Sequence, residues 1–210
     1  MARYREGKCR LCRRESEKLF LKGDRCFTDH CAIDKRNFVP GEHGKGGRRR
    51  RETGYGLQLR EKQKARRIYG IMERQFRNYF LKAEGMKGKT GEILLQLLET
   101  RLDNVVYRMG LAPSRNAARQ LVRHRHLKVN NRVVNVPSRA IRAGDEVAVR
   151  EKSKTLKLIT SALESQSARG LPQWLEVSRE DMKGRLVQIP SRTDIPVAVQ
   201  EQFIVELYSK

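Results

Sequence analysis

Four cysteines are the residues of this chain best suited to chemistry, and all of them fall within residues 9–31, as Cys9-x-x-Cys12 and Cys26-x-x-x-x-Cys31. A two-residue gap lets two thiolates and the neighbouring backbone amides wrap one cation, the arrangement of tetrahedral all-thiolate zinc sites. Lys8, Arg10, Arg13 and Arg14 stand beside the first pair. They are expected to lower the thiol pKa values and to offset the negative charge of a zinc tetrathiolate. Without metal the segment has little reason to fold, so binding and folding should be coupled. The expectation is one structural Zn2+ held by Cys9, Cys12, Cys26 and Cys31, with an iron–sulfur cluster as the alternative. A disulfide pair or free thiols are the remaining possibilities. His30 could replace Cys31, but four thiols already close the shell and leave no open catalytic position.

The elements that must carry this segment follow from periodicity. Residues 1–46 are rich in Cys, Gly, Pro and charge, and too poor in apolar residues to build a core alone. Lys45-Gly46-Gly47-Arg48-Arg49-Arg50-Arg51 is a basic run expected to be ordered by RNA. From Tyr55 to Ala83 the pattern is helical, with Leu57, Ile68, Ile71, Phe76 and Phe80 among charges, and Gly70 divides it in two. After a Gly/Lys linker, Thr90 can cap a long helix beginning near Glu92. Leu94, Leu97, Leu98, Leu102, Val105, Val106 and Met109 lie on one face of it, and Gly110 stops it.

Ser114 is a plausible N-cap for the next helix, whose apolar face is Ala117, Ala118, Leu121 and Val122. Arg115, Arg119 and Arg123 stand four apart on it and form a basic stripe. A hairpin follows over 128–134 with Asn130-Asn131 as its turn, and Gly144-Asp145-Glu146 turns into the strand Val147-Ala148-Val149. Ser153 to Ser165 reads as a helix through Leu156, Ile159 and Leu163. Residues 174–177 and 185–189 alternate as strands do, and Phe203, Ile204, Leu207 and Tyr208 fit a final helix.

The chain has 46 Lys and Arg against 24 Asp and Glu, a net charge of +22. Such self-repulsion gains a fold nothing and implies a polyanionic partner. Residues 171–210 carry five basic and six acidic groups, so they are expected to complete the fold. Aromatic residues make up 6% of the chain. That argues against a single-strand reader built on exposed rings and for shape recognition of folded RNA, although Tyr4, Tyr55 and Tyr107 could each stack on a nucleotide. No run approaches the ~18–20 apolar residues that cross a bilayer, no basic amphipathic anchor is seen, and residues 1–6 lead into no signal segment. The expected location is the cytoplasm, with no membrane partner. No P-loop, nucleophile elbow or metalloprotease motif is present, so neither an enzyme nor a small-molecule substrate is expected.

The words Arg101-Leu102-Asp103-Asn104-Val105-Val106-Tyr107-Arg108, Ser114-Arg115, Ala118-Arg119-Gln120-Leu121-Val122 and Pro137-Ser138 with Gly144-Asp145 resemble the universal S-four family of small-subunit ribosomal proteins. The likeness runs from Arg3-Tyr4 to residues 206–210. It implies an α+β architecture in three parts: a zinc-stapled N-terminal segment (1–46), a helical domain (47–98 with 191–210) completed by the C-terminal helix, and an inserted helix-turn-helix-like RNA-binding domain (99–190) with a small antiparallel sheet. It also implies a primary binder of small-subunit ribosomal RNA that docks on a junction of the 5′ domain and nucleates assembly on the ribosome. Neighbouring ribosomal proteins, messenger RNA where it enters the subunit, and a role in translational accuracy belong to the same implication. In some bacteria the resemblance also implies repression of the protein's own operon.

On these grounds the candidate RNA-binding residues are Arg3, Arg10, Arg13, Arg14, Arg48, Arg49, Arg50, Arg51, Tyr55, Arg60, Lys62, Lys64, Arg66, Arg67, Arg74, Arg77, Arg101, Asn104, Arg108, Ser114, Arg115, Arg119, Gln120, Arg123, His124, His126, Lys128 and Arg139. The cluster at 60–67 has almost no acid nearby in sequence except Glu61, which favours phosphate contact. Two other readings stand beside this one. A zinc-containing nucleic-acid-binding regulator would share the cysteines and the two crossed helices. An RNA-modifying enzyme is suggested by Arg101-Leu102-Asp103, which echoes the motif of the catalytic aspartate in pseudouridine synthases. Periodicity places that motif inside a regular helix, so Asp103 is expected to pair with a neighbouring arginine. Arg125 and Asn131 stand where the family usually has Gly, Arg125 at an expected left-handed helix end.

Overall fold

A computed structural model describes residues 4, 6–46, 53–166 and 170–209. Arg3 and Arg48, Arg49, Arg50 and Arg51 lie outside the described residues. The chain divides into two compact units, residues 1–91 with 198–210, and residues 92–197. This contact grouping puts the boundaries at 91/92 and 197/198, beside the 46/47, 98/99 and 190/191 expected from sequence.

The first unit begins with α1 (Lys8–Glu15) and the single turn α2 (Ala32–Lys35), followed by α3 (Gly54–Ile68) and α4 (Glu73–Glu84). Thr53 caps α3, its hydroxyl accepting from the Gly56 amide at 3.1 Å, and Gly70 at φ 62° breaks α3 from α4. Ion pairs hold α1 and the turn after it to α3: Glu15 meets Arg60 at 3.3 Å and also Arg67, and Glu17 meets Lys64 at 3.2 Å.

The second unit is built from α5 (Thr90–Glu99), which starts in the last residues of the first part, then α6 (Leu102–Arg108) and α7 (Arg115–Arg123). Strands β1 (Leu127–Val129), β2 (Arg132–Val133) and β3 (Glu146–Val149) follow, then α8 (Lys157–Gln166), β4 (Leu175–Ser178) and β5 (Lys183–Leu186). The five strands form one antiparallel sheet in the order β2-β1-β3-β5-β4. Leu127 and Val129 stand opposite Val149 and Val147. All four are buried, so the inward positions alternate as half-buried strands require. They join Leu102, Val105, Met109, Leu121, Ile159, Trp174 and Leu186 in one core.

The chain returns to the first unit as α9 (Glu201–Tyr208). The Tyr208 ring stacks on Phe80 at 4.6 Å, and its hydroxyl donates to Glu73 at 3.0 Å. Gln58 donates to Glu206 at 2.8 Å, and Glu61 accepts from the Gln200 amide at 2.9 Å. A Cβ on Gly91 would stand 2.7 Å from Glu201, so α9 seats closely there.

Four local expectations are corrected. The long helix through 94–109 is two helices, because Thr100 and Arg101 pair like a strand: Arg101 bridges Ala140, the Leu102 amide donates to the Arg139 carbonyl at 2.8 Å, and Ile141 donates to Thr100 at 2.8 Å. Its first half starts at Thr90 itself. The helix expected from Ser153 starts at Lys157, after a 3-10 turn over Glu151–Ser153. The strand expected over 185–189 runs from Lys183 and ends at Leu186, leaving Val187 and Ile189 exposed.

Candidate nucleic-acid interface

Local signals fix the α6–α7 pair. Gly110 at φ 79° ends α6, and the Ser114 hydroxyl accepts from the Ala117 amide at 3.3 Å to cap α7. Ser114 is therefore occupied as a cap. The basic stripe lies along α7, but its members differ in surroundings. Arg123 is exposed, whereas Arg115 and Arg119 are half-buried.

Beneath the stripe is a polar network that crosses three helices. Arg101 grips Asp103 in a fork, Nε to Oδ1 at 3.1 Å and Nη2 to Oδ2 at 2.8 Å. Arg119 donates to the same Oδ2 at 3.2 Å. Glu99 accepts a second fork from Arg108 at 3.0 and 2.7 Å and the Asn104 amide at 2.6 Å. The Asn104 carbonyl oxygen accepts from Arg115 Nε at 2.7 Å. The Arg115 guanidinium lies over the Tyr107 ring, 4.6 Å from its centroid, and Tyr107 packs against the core.

Glu99 is 0% exposed, and Arg101 and Asn104 are each 1% exposed. Arg101 and Asn104 thus hold other side chains from within. Arg108 is mostly covered as well and is held by Glu99. Burial pulls the Arg119 pKa down from its ordinary value, and Asp103 partly offsets the effect. Asp103 does pair with neighbouring arginines, from the first turn of α6 just past the helix break.

Past α7, His124 is exposed and Arg125 takes the left-handed conformation expected there, at φ 62°. Its carbonyl accepts from Arg150 at 3.0 Å. His126 Nδ1 pairs with the Ser153 hydroxyl at 2.9 Å, and burial, with His124 and Arg150 adding, lowers its pKa. Lys128 is half-buried on β1, and Gln120 and Arg139 are exposed. Among the further basic residues of this unit outside the candidates named from sequence, Arg125, Arg132 and Arg142 are exposed and Arg150 is half-buried. Arg132 and Arg142 flank the turns at Asn130-Asn131 and Gly144, a signal that could have found them.

In the first unit the basic cluster is internally neutralised, which corrects the count of nearby acids. Folding brings Glu73 to Lys62 at 2.6 Å and to Arg66 at 3.3 Å, and Lys64 meets Glu61 at 2.8 Å besides Glu17. Arg60 and Arg67 share Glu15. Arg74, Arg77 and Tyr55 are exposed, as is Arg14. Arg10 pairs with Glu6 at 3.3 Å, and Arg13 donates to the Phe38 carbonyl at 2.9 Å.

None of the four cysteines is in a disulfide; Cys12, Cys26 and Cys31 are buried and Cys9 is half-buried. Burial pushes the Cys12 thiol up to about 11; a hydrogen bond from the Leu19 backbone opposes this, and the three other thiols add to it. Cys26 is raised by burial too, against a backbone hydrogen bond from Lys22. The net direction at these two thiols is therefore upward, opposite to the lowering expected from the flanking cations. The donors suit zinc chemically and sense one another electrostatically. Yet among the described residues no group of three or more is arranged to hold a metal ion.

Residues 3–99 match the family model described as ribosomal protein S4/S9 N-terminal domain, and residues 100–147 match the S4 domain. Over all 210 residues, and the whole of each relative, the chain is 58% identical to small ribosomal subunit protein uS4 of Pelobacter propionicus. It is 57% identical to the uS4 protein of Geobacter metallireducens and 55% identical to the uS4A protein of Myxococcus xanthus, again over the full length of each.

Proposed function

The chain belongs to the ribosomal protein uS4 family, and from that premise we propose that it is a structural, non-enzymatic component of the bacterial small ribosomal subunit, working in the cytoplasm by binding the subunit's RNA. One observation carries the reading: full-length identity to uS4 proteins coincides with an α6–α7 surface whose guanidinium groups suit phosphate. Arg115, Arg119, Arg123, His124, Lys128 and Arg139 are the proposed contacts in the second unit, with Arg125, Arg132 and Arg142 beside them. Arg10, Arg14, Tyr55, Arg74 and Arg77 are the proposed contacts in the first. Phosphate contacts fix position on folded RNA, whose duplexes are recognised mostly by shape and by 2′-hydroxyl and phosphate contacts across the minor groove.

The finer assignment is a primary binder of the 5′-domain junction that nucleates assembly beside other small-subunit proteins and near entering messenger RNA. Binding of a 5′-domain fragment by the purified protein, in competition with an unrelated RNA of equal length, tests it. Equal affinity for the two RNAs would remove the specific role and leave only a basic chain.

A structural zinc on Cys9, Cys12, Cys26 and Cys31 is part of the proposal, supported by the donor set. When bound, such an ion cross-links the segment and carries no reaction. Elemental analysis should find about one zinc per chain. A brown, iron-containing protein, or one with no metal, would overturn it.

Asp103 in the pseudouridine-synthase echo spends its carboxylate on Arg101 and Arg119. Asp103→Asn should therefore abolish no base modification, which mass analysis of exposed RNA would check.

A further inference from the structure

We propose that Glu99 and Asp103 are positioning residues for RNA binding: buried carboxylates that fix Arg115 and Arg119 in one orientation before the RNA arrives. This rests on the reading that the α6–α7 face meets phosphate. Glu99 acts directly on Arg108 and, through Asn104, on Arg115. Asp103 acts on Arg119, with Arg101 as its second partner behind it.

Stability alone is a poor account of such a network. Buried charges lose hydration, and apolar side chains of similar volume commonly fill the same space at no loss. Here the carboxylates instead run from a wholly buried layer out to half-buried guanidinium groups on the basic stripe. The break at Thr100–Arg101 makes this possible, because it lets Glu99 end one helix while Asp103 starts the next. The Tyr107 ring supports Arg115 from its face. A long arginine held in place beforehand loses less freedom when it meets a phosphate, and that saving appears as affinity.

The sign of one substitution separates this from simple charge. Asp103→Asn makes the protein one charge more positive, so electrostatics alone predicts tighter binding to a polyanion. Positioning predicts binding weaker by about threefold to tenfold, the ordering cost of one long side chain. Asn104→Ala changes no charge and should weaken binding similarly by releasing Arg115, while Asp103→Glu should recover part of the loss. Affinity is read with a 5′-domain RNA fragment on variants whose circular dichroism matches the wild type. Relaxation of the Arg115 and Arg119 Nε–H groups in the unaltered, RNA-free protein supplies a reading independent of folding. Rigid groups support the proposal, and groups as mobile as those of an exposed arginine overturn it. Asp103→Asn and Asn104→Ala binding as tightly as wild type would also overturn it, provided the double variant Arg115→Gln, Arg119→Gln binds weakly. If that double variant keeps wild-type affinity and salt dependence, the α6–α7 contact itself is wrong.

Discussion

Arg125 sits at φ 62°, where a side chain with a Cβ is strained by roughly 1 kcal/mol relative to glycine. Its carbonyl is held by Arg150 and its side chain is exposed, so conformational strain is retained at a place where an extra cation faces solvent. Arg125→Gly should raise unfolding stability by about 0.5–1 kcal/mol, measured by urea denaturation, while weakening RNA binding. Should the variant lose stability instead, the side chain would be holding the helix end by a contact other than charge. Lys64 gives the contrasting case, because Glu61 and Glu17 already occupy it. Lys64→Gln should leave the salt dependence of RNA binding almost unchanged, whereas Arg123→Gln should make the slope of log affinity against log salt shallower by about 0.7–0.9. Equal effects would mean that internal pairing does not govern which cations reach the RNA.

At the level of elements, what could be read from sequence was what neighbours along the chain decide. Ser114 as a cap, Gly110 as a stop, the left-handed Arg125 and the Asn130-Asn131 turn, with both residues at positive φ, all depend on a few adjacent residues. The break at Thr100–Arg101 was illegible because its cause lies forty residues on, in the backbone of Arg139 and Ala140. The 60–67 cluster misled for the same reason, since Glu15, Glu17 and Glu73 reach it only in the folded chain. Gly184 is likewise explained only by its neighbours in space: a Cβ there would stand 2.2 Å from Met109 and 2.7 Å from the Glu176 carbonyl. Gly184→Ala must push β4 from β5 and should cost about 1–3 kcal/mol of stability by thermal or urea melting. The seat of α9 has a pH signature. Burial raises the Glu73 carboxyl, but hydrogen bonds from Lys62 and Tyr208, with the charges of Lys62 and Arg66, outweigh it and leave the pKa below its ordinary 4.5. The unfolded chain then takes up the proton first, so this stabilisation is full above about pH 4.5 and disappears as pH falls through the lower folded value. Tyr208→Phe should lower stability by about 1 kcal/mol near neutrality and narrow the difference between melts at pH 7 and pH 4. An unchanged difference would place the acid sensitivity elsewhere.

Across the whole molecule, a net charge of +22 overstates the grip on RNA, because much of the 60–67 cluster and of the α6–α7 network is already paired within the fold. A site making about 6–10 phosphate contacts gives a salt slope of roughly −4 to −9, and filter binding between low and moderate salt should find a value in that range. A slope far steeper would show that RNA displaces the internal carboxylates. The return of α9 to the first unit has a different consequence, one of timing. Synthesis proceeds from the N-terminus, so Phe76 and Phe80 leave the ribosome long before Tyr208, which stacks on them. Residues 92–197 come in between, an interval of roughly 5–20 seconds at about 5–20 residues per second. At its end the first unit still lacks its closing helix while the second, contiguous unit has every residue it needs, so the part made later is the part finished first.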